Sequence, residues 1–252
     1  VYRDRLILEL GSAKLRAVTP ARLAAIAKAY ARDAPVAANR FLAFVKQCFR
    51  FAVASGYLER SPAAELDRSV AGGRERARTR VLTDDEMRAL WHAEGRYTPL
   101  LRFLLGTLAR IGEAQRATWS HMKLTRWEIP AAHAKNRRAH WVHLSPQILH
   151  VVWDLPRDRD LVFEATSPTA VQAWLRRFCA RQRLSPAFTP HDLRRTGATR
   201  LGELGVAPHV VATMLNHALS DAVGASFRAE LEQERVDAFN RWGMELERVV
   251  SR

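Results

Sequence analysis

Acidic residues are in short supply in this chain. Its 252 residues hold 26 Asp plus Glu against 40 Lys plus Arg, a formal charge of +14 at pH 7. A globular chain this basic calls for a polyanionic partner, and nucleic acid is the first candidate. An anionic membrane surface is the second; an arginine-rich proteome is the bland explanation. Cysteine is scarcer still. Cys48 and Cys179 stand at unrelated spacing within apolar helical patterns. That excludes a disulfide scaffold and reads as two buried thiols in a reducing cytoplasm. No apolar run approaches membrane-spanning length, so no membrane partner is expected. No signal peptide is read at the start, and the abrupt opening "VYRDRLILELG" fits a natural start or a fragment lacking an upstream domain. His133, His140, His143 and His150 are scattered over a hairpin and a helix without metal-ligand spacing, so no metal is expected.

What is present is a hydrophobic fraction of 48%, enough for a real core, arranged mostly at helical spacing. Thr19 reads as an N-cap with Pro20 at the first position of a helix over 18–33. Residues 35–58 read as a longer amphipathic helix stopping near Gly56, followed by a turn and a short helix in "ERSPAAEL". Residues 1–66 are therefore expected to form a small helical domain. Residues 67–82 carry two glycines and alternate Arg74, Arg76, Arg78 and Arg80, which reads as an extended linker. Such a stretch is either a solvated loop or a strand that tracks phosphates. A capping box at Thr83 and Glu86 opens a second domain, 83–252. There 98–119 reads as a mostly buried helix ending in a turn, then a second helix. Short strands in "MKLTRWEIP" and "AHWVHLS" flank the basic "AAHAKNRR", and helices follow at 145–155, 167–184 and three times across 191–250. The class is mainly α with one small antiparallel sheet.

Several side chains could carry chemistry. Arg110 directly follows an apolar helix, where an arginine snorkels, pairs with an acid or lines a site. Lys135 lies in the polar connection between the two strands. His191 and Arg194 are three apart and share one face at a helix start, whose N–H groups suit an anion. His217 ends "HVVATMLNH". Taken singly, each has an ordinary surface reading.

Taken in order, "ARIGEA", "AKNRRAH", "HDLRRT" and "LNH" resemble the phage-type integrases of the tyrosine recombinase family. The matching pattern places Arg110 with Gly112 and Glu113, Lys135, His191 with Arg194, and His217 at the family's catalytic positions. The likeness covers nearly the whole chain. "ANRFLAFVKQCFRFAVASGYLERSPAAEL" looks like the core-binding helical domain, and "RTRVLTDDEMRALW" like the entry to the catalytic domain. The resemblance implies a small all-α core-binding domain preceding a catalytic domain, two lobes clamping duplex DNA. It implies strand exchange through a 3′-phosphotyrosine at core half-sites of attachment DNA, by a tetramer on DNA that is a monomer without it. Arg110 and Arg194 would hold nonbridging phosphate oxygens. Lys135 would protonate the leaving 5′ oxygen. His191 would assist proton transfer, His217 would donate to the phosphate, and Glu113 would support Arg110. Arg74, Arg76, Arg78, Arg80, Arg137, Arg138 and Arg195 would contact DNA. No cofactor is implied, and the location would be the bacterial cytoplasm, at the nucleoid. The last helix, about 229–250, resembles a segment exchanged between protomers; packing on its own subunit is expected for a monomer.

The family's nucleophile is where this sequence departs. Its four tyrosines are Tyr2, Tyr30, Tyr57 and Tyr97, all upstream of the motif block. Counting nine from His217, or sixteen back from Trp242, gives Ser226; counting ten from His217 gives Phe227, a tyrosine without its hydroxyl. Spacing favours the first and side-chain shape the second. Three explanations compete: deliberate removal of the tyrosine, a natural integrase that binds without cleaving, or attack by Ser226. The last is weakest, because serine is shorter by a ring and far harder to ionise than a phenol of pKa about 10. Every other catalytic position is intact, which argues against general decay. Rival classes are a DNA-binding regulator on the same fold, a phosphatase or esterase, and a helix-turn-helix protein. The phosphatase or esterase lacks a nucleophile elbow and a metal site, and the charge is unexplained under it.

Overall fold

The computed structural model describes residues 2–75, 78–217 and 228–251. The chain divides into two compact units, Val1–Arg78 and Thr79–Arg252.

The first unit is helical. α1 (Tyr2–Leu10), α2 (Pro20–Asp33) and α3 (Pro35–Ala54) enclose a core of Leu10, Leu23, Phe41, Leu42, Val45 and Phe49. α2 starts as its sequence dictates: the Thr19 hydroxyl accepts from the Arg22 N–H at 3.3 Å, and Pro20 stands at the first position. α1 escapes sequence reading because it is short and buries only Leu10, while Ile7 and Leu8 stay exposed. "ERSPAAEL" makes turns rather than a short helix. Of residues 67–82, Arg68–Val70 form a 3-10 turn. Residues 72–75 are bonded to α3 through buried Asn39. Its Oδ1 accepts from the Gly72 N–H at 2.9 Å, and its Nδ2 donates to Gly73 O and Glu75 Oε1 at 3.0 and 3.1 Å.

The second unit is mainly helical around one small sheet. α4 (Asp84–Trp91) begins with the reciprocal capping bonds between Thr83 and Glu86. Just before it, the buried Leu82 donates its N–H to Thr196 Oγ1 at 2.9 Å. α5 (Thr98–Thr107) is apolar nearly all round and runs through the middle of the core, where such a helix belongs. A one-turn α6 (Ile111–Ala114) follows. The sheet has three antiparallel strands, β1 (Met122–Lys123), β2 (Arg126–Ile129) and β3 (His140–His143), in the order β1-β2-β3. "MKLTRWEIP", expected as one strand, therefore folds back on itself at Leu124–Thr125, pairing Met122 with Trp127. β2 pairs β3 with Ile129 opposite His140, so residues 130–139 project as one long connection.

α7 (Pro146–Trp153), α8 (Pro168–Arg181), α9 (Pro190–Glu203), α10 (Pro208–Met214) and α11 (Arg228–Val250) complete the unit. α11 packs against its own subunit. Phe239, Trp242, Leu246 and Val249 are buried, and the Trp242 indole donates to Leu105 O at 2.9 Å. α5 and α9 meet at Gly197. A Cβ there would lie 2.1 Å from Leu108 Cδ2, and Leu108 is fully buried with φ of 55°. Gly197→Ala is therefore expected to cost about 1–3 kcal/mol through overpacking. Urea unfolding should show a lower midpoint at unchanged slope. A midpoint equal to the parent's would disprove the close contact.

Candidate active site

The site is organised by the first two turns of α9. Thr189 caps the helix: its N–H and hydroxyl both donate to Asp192 Oδ2, at 2.9 and 2.8 Å. Asp192 is buried, and its other oxygen accepts from Arg195 Nη1 at 2.6 Å. This bracing fixes the first turn, so His191 and Arg194 leave the same face.

Arg194 is the hub. It is 5% exposed, and its two terminal nitrogens donate to the carbonyl oxygens of Leu108 and Leu215. Both carbonyls are aimed by left-handed backbone. Leu108 has φ of 55°, and Asn216, directly after Leu215, has φ of 47°. A bulky residue in that region costs about 1–3 kcal/mol, which packing against α9 must offset. One guanidinium thus ties together the end of α5, the start of α9 and the end of α10. Two residues beyond each carbonyl comes a sequence-predicted side chain: Arg110 after Leu108, His217 after Leu215.

Arg110 precedes α6 and is fixed by Glu113, which is 2% exposed. One Glu113 oxygen accepts the Arg110 backbone N–H and the other its Nη1, both at 2.9 Å. Burial, and then the like charge of Arg110, pushes Arg194 down to about 10, still protonated at neutral pH. Burial also lowers His191, helped by Arg195, Arg194 and Arg110. His217 is lowered by burial, then by Arg194, Arg110 and His191. Arg194 and Arg110 act on both histidines, and His191 acts on His217, which puts the four in one electrostatic neighbourhood. Two fixed cations and two histidines held neutral at pH 7 can receive an anion with several oxygens.

Lys135 lies in the exposed connection between β2 and β3. That connection reaches the same site through Asn216, whose amide Nδ2 is 3.1 Å from Asn136 Oδ1 and 2.9 Å from His140 Nδ1. Sequence reading gave His140 and Asn216 no role. His140 is half-buried at the start of β3; burial pushes its pKa down, against the attraction of Glu113. Only the pairing register, which puts His140 where the hairpin opens, could have signalled it. Arg74, Arg78, Arg137 and Arg138 are exposed, and Arg137 has φ of 56°. Arg195 is paired with Asp192. The Arg80 guanidinium is bonded to Glu86, to Val81 O at 2.7 Å and to Pro186 O at 3.2 Å. Arg76, Ser226 and Phe227 lie outside the described residues. No helix of the described residues is long and apolar enough to cross a membrane.

Comparison with known proteins gives the family and the fold. The Phage integrase family profile matches residues 80–232, and that of the Phage integrase central domain matches residues 2–69. Prophage integrase IntA of Escherichia coli (strain K12) is 30% identical over 150 residues, 54% of this chain. The chain spans 35% of the length of that relative. Among solved structures, a lambda integrase dimer bound to a COC′ core site has a TM-score of 0.70 at 17% identity, covering 88% of each chain. The Tn1549 transposon integrase in complex with circular intermediate DNA has a TM-score of 0.65 at 15% identity, covering 91% of this chain and 90% of that one. With a family profile over more than half its length, a second over most of the remainder, and the shared fold, the chain belongs to the phage integrase family of tyrosine recombinases.

Proposed function

We propose that this chain binds duplex DNA at the core half-sites of an attachment sequence, and that its site is built for site-specific strand exchange but lacks the attacking group. The observation that carries this reading is Arg194, buried and bonded to the carbonyls of Leu108 and Leu215, two residues before Arg110 and His217 respectively, with His191 one turn before it on α9. In the parent reaction a tyrosine oxygen attacks the scissile phosphorus and the 5′ oxygen leaves. Arg110 and Arg194 hold the nonbridging oxygens as charge builds on them. His217 donates a further hydrogen bond, His191 receives the nucleophile's proton, and Lys135 supplies one to the 5′ oxygen. Exposed Arg74, Arg78, Arg137 and Arg138 contact the backbone of the duplex. Relatives were solved as a dimer on a core site and as a tetramer on a Holliday junction, which supports a tetrameric assembly on DNA. One Tn1549 integrase carrying a tyrosine-to-phenylalanine substitution was solved with transposon right end DNA. A second reading, a natural DNA-binding regulator, is favoured by the lack of any tyrosine after Tyr97 beside an otherwise intact set.

Duplex binding as a function of salt and pH tests the common part of both readings. With several phosphates neutralised, log Kd should rise linearly with log salt, with a slope of about 0.9 per contacted phosphate. The pH effect has a definite sign. In the free protein His191 and His217 are depressed below the ordinary 6.5. A bound phosphate adds negative charge and raises both, so the complex holds more protons than the free site. Affinity should therefore increase as pH falls through the window between the free and bound values. Calorimetry in buffers of different ionisation enthalpy should show proton uptake that His191→Gln and His217→Gln each diminish. Salt-independent binding, or uptake unaltered in both variants, would exclude a phosphate at this site.

A further inference from the structure

We propose that Asn216 is a positioning residue whose side-chain amide latches the Lys135-bearing connection between β2 and β3 onto the segment that links Arg194's anchor, Leu215, to His217. The inference rests on the catalytic reading above for the role of Lys135; the latch itself rests on geometry alone.

Four contacts make it. Asn216 Nδ2 lies 3.1 Å from Asn136 Oδ1, 2.9 Å from His140 Nδ1 and 3.4 Å from the Arg138 carbonyl. In return Asn136 Nδ2 donates to the Asn216 carbonyl at 3.0 Å. The environment fixes the amide's orientation. Two of the surrounding atoms, Asn136 Oδ1 and Arg138 O, are acceptors, so the donor end of Asn216 must face them. His140 Nδ1 completes the contact at 2.9 Å, in a direction set by the ring tautomer. The carboxamide of Asn136 is turned inward by the same logic, since its Oδ1 also accepts from the Arg138 N–H at 3.2 Å.

The backbone explains why asparagine suits the position. Residue 216 has φ of 47°, which glycine and asparagine tolerate best. The left-handed turn sends successive carbonyls to different partners: Leu215 O to Arg194, Asn216 O to Asn136. Glycine would supply the turn and not the amide. Lys135 is the neighbour of Asn136, so its Cα is within about 3.8 Å of a residue bonded twice to the latch. The long lysine side chain still moves, but its origin is fixed relative to Arg194 and His217. A general acid carried on an otherwise exposed connection gains most from such an anchor, because an ångström-scale misplacement can cost about 100-fold in rate.

The test uses the full chain. Trypsin can cut the connection after Lys135, Arg137 and Arg138, and opening of the latch sets how fast it does so. Asn216→Gly keeps the turn and removes the amide; Asn136→Ala removes the opposite half and leaves the Arg194 segment untouched. Each should speed cleavage at 135–138 by about 10-fold or more. The double variant should be no faster than the faster single, as expected for one shared interaction. Parental cleavage rates in both singles would overturn the latch. The positioning role is read in chains carrying a restored tyrosine, as the single-turnover rate of attachment to nicked duplex against the duplex Kd. Asn216→Gly should lower the rate about 10-fold with little change in Kd, and its effect should not multiply with that of Lys135→Ala. A loosened connection with an unchanged rate would overturn the positioning role. If the restored parent itself fails to attach, the catalytic reading fails, and with it the positioning role. The trypsin result still decides the latch.

Discussion

Arg194→Lys, made in a chain with its tyrosine restored, is expected to slow covalent attachment to DNA by about 10²–10³-fold, the usual effect of losing one charge-stabilising donor. Lysine keeps the charge, so a purely electrostatic site would tolerate it. The geometry does not. Two terminal nitrogens of Arg194 are committed to the carbonyls of Leu108 and Leu215. A guanidinium has five N–H donors, so it can hold both carbonyls and still present N–H groups to a phosphate; an ammonium has three on one atom and cannot span them. Arg194→Ala should be worse in a second way. It leaves two buried carbonyls without their donor, at about 1–3 kcal/mol for each unsatisfied group, partly offset because the arginine's own burial is costly. A net loss of 1 kcal/mol would lower Tm by about 2–4 °C in a chain of this size. Single-turnover attachment to nicked duplex and thermal unfolding measure the two effects separately. Parental attachment by Arg194→Lys would refute the assignment of Arg194 as the bidentate anchor. Arg110→Lys should be milder in stability, because Glu113 still holds the Arg110 backbone N–H.

Much of this site is legible in sequence because it is carried by local signals. The Thr189–Pro190 start of α9 and the spacing of His191 and Arg194 can be read without a structure. The capping box at Thr83 can be read in the same way. The links between segments are not legible. Nothing near Leu108 announces that its carbonyl faces an arginine 86 residues away, because left-handed backbone at leucine is decided by tertiary packing. Asn216 carries no signal in the sequence until the connection from β2 to β3 is seen against it. Arg80 shows the converse. Alternation groups it with Arg74 and Arg78, yet its guanidinium is bonded to Glu86 and to Val81 O, which only three-dimensional structure reveals. The tight reversal at Leu124–Thr125 was hidden because neither residue is a customary turn former.

A tyrosine placed at 226 or 227 should convert a chain that forms no covalent adduct into one that does, a gain on the order of 10⁴–10⁶ by analogy with the loss on deleting an enzymatic nucleophile. The remaining groups need no change on the proposed reading: Arg194 already ties together the segments that carry Arg110, His191 and His217. The experiment traps the adduct on nicked attachment-site DNA in a denaturing gel, with the parent, Ser226→Tyr and Phe227→Tyr side by side. Both flanks of the intervening segment are anchored, His217 through Leu215 and Arg194, Trp242 through Leu105. Counting nine from His217 or sixteen back from Trp242 favours Ser226, against ten from His217 for Phe227, so Ser226→Tyr is expected to be the faster of the two. The reverse order would mean that the lost group was a hydroxyl and that Phe227 keeps the ring's place. An adduct from the parent would contradict cleavage inactivity and point to Ser226 or another hydroxyl as nucleophile, against the difficulty of ionising it. DNA binding without an adduct from any of the three would leave occupancy of DNA as the function. The phosphate cluster would then serve to grip a scissile phosphate that is never cut.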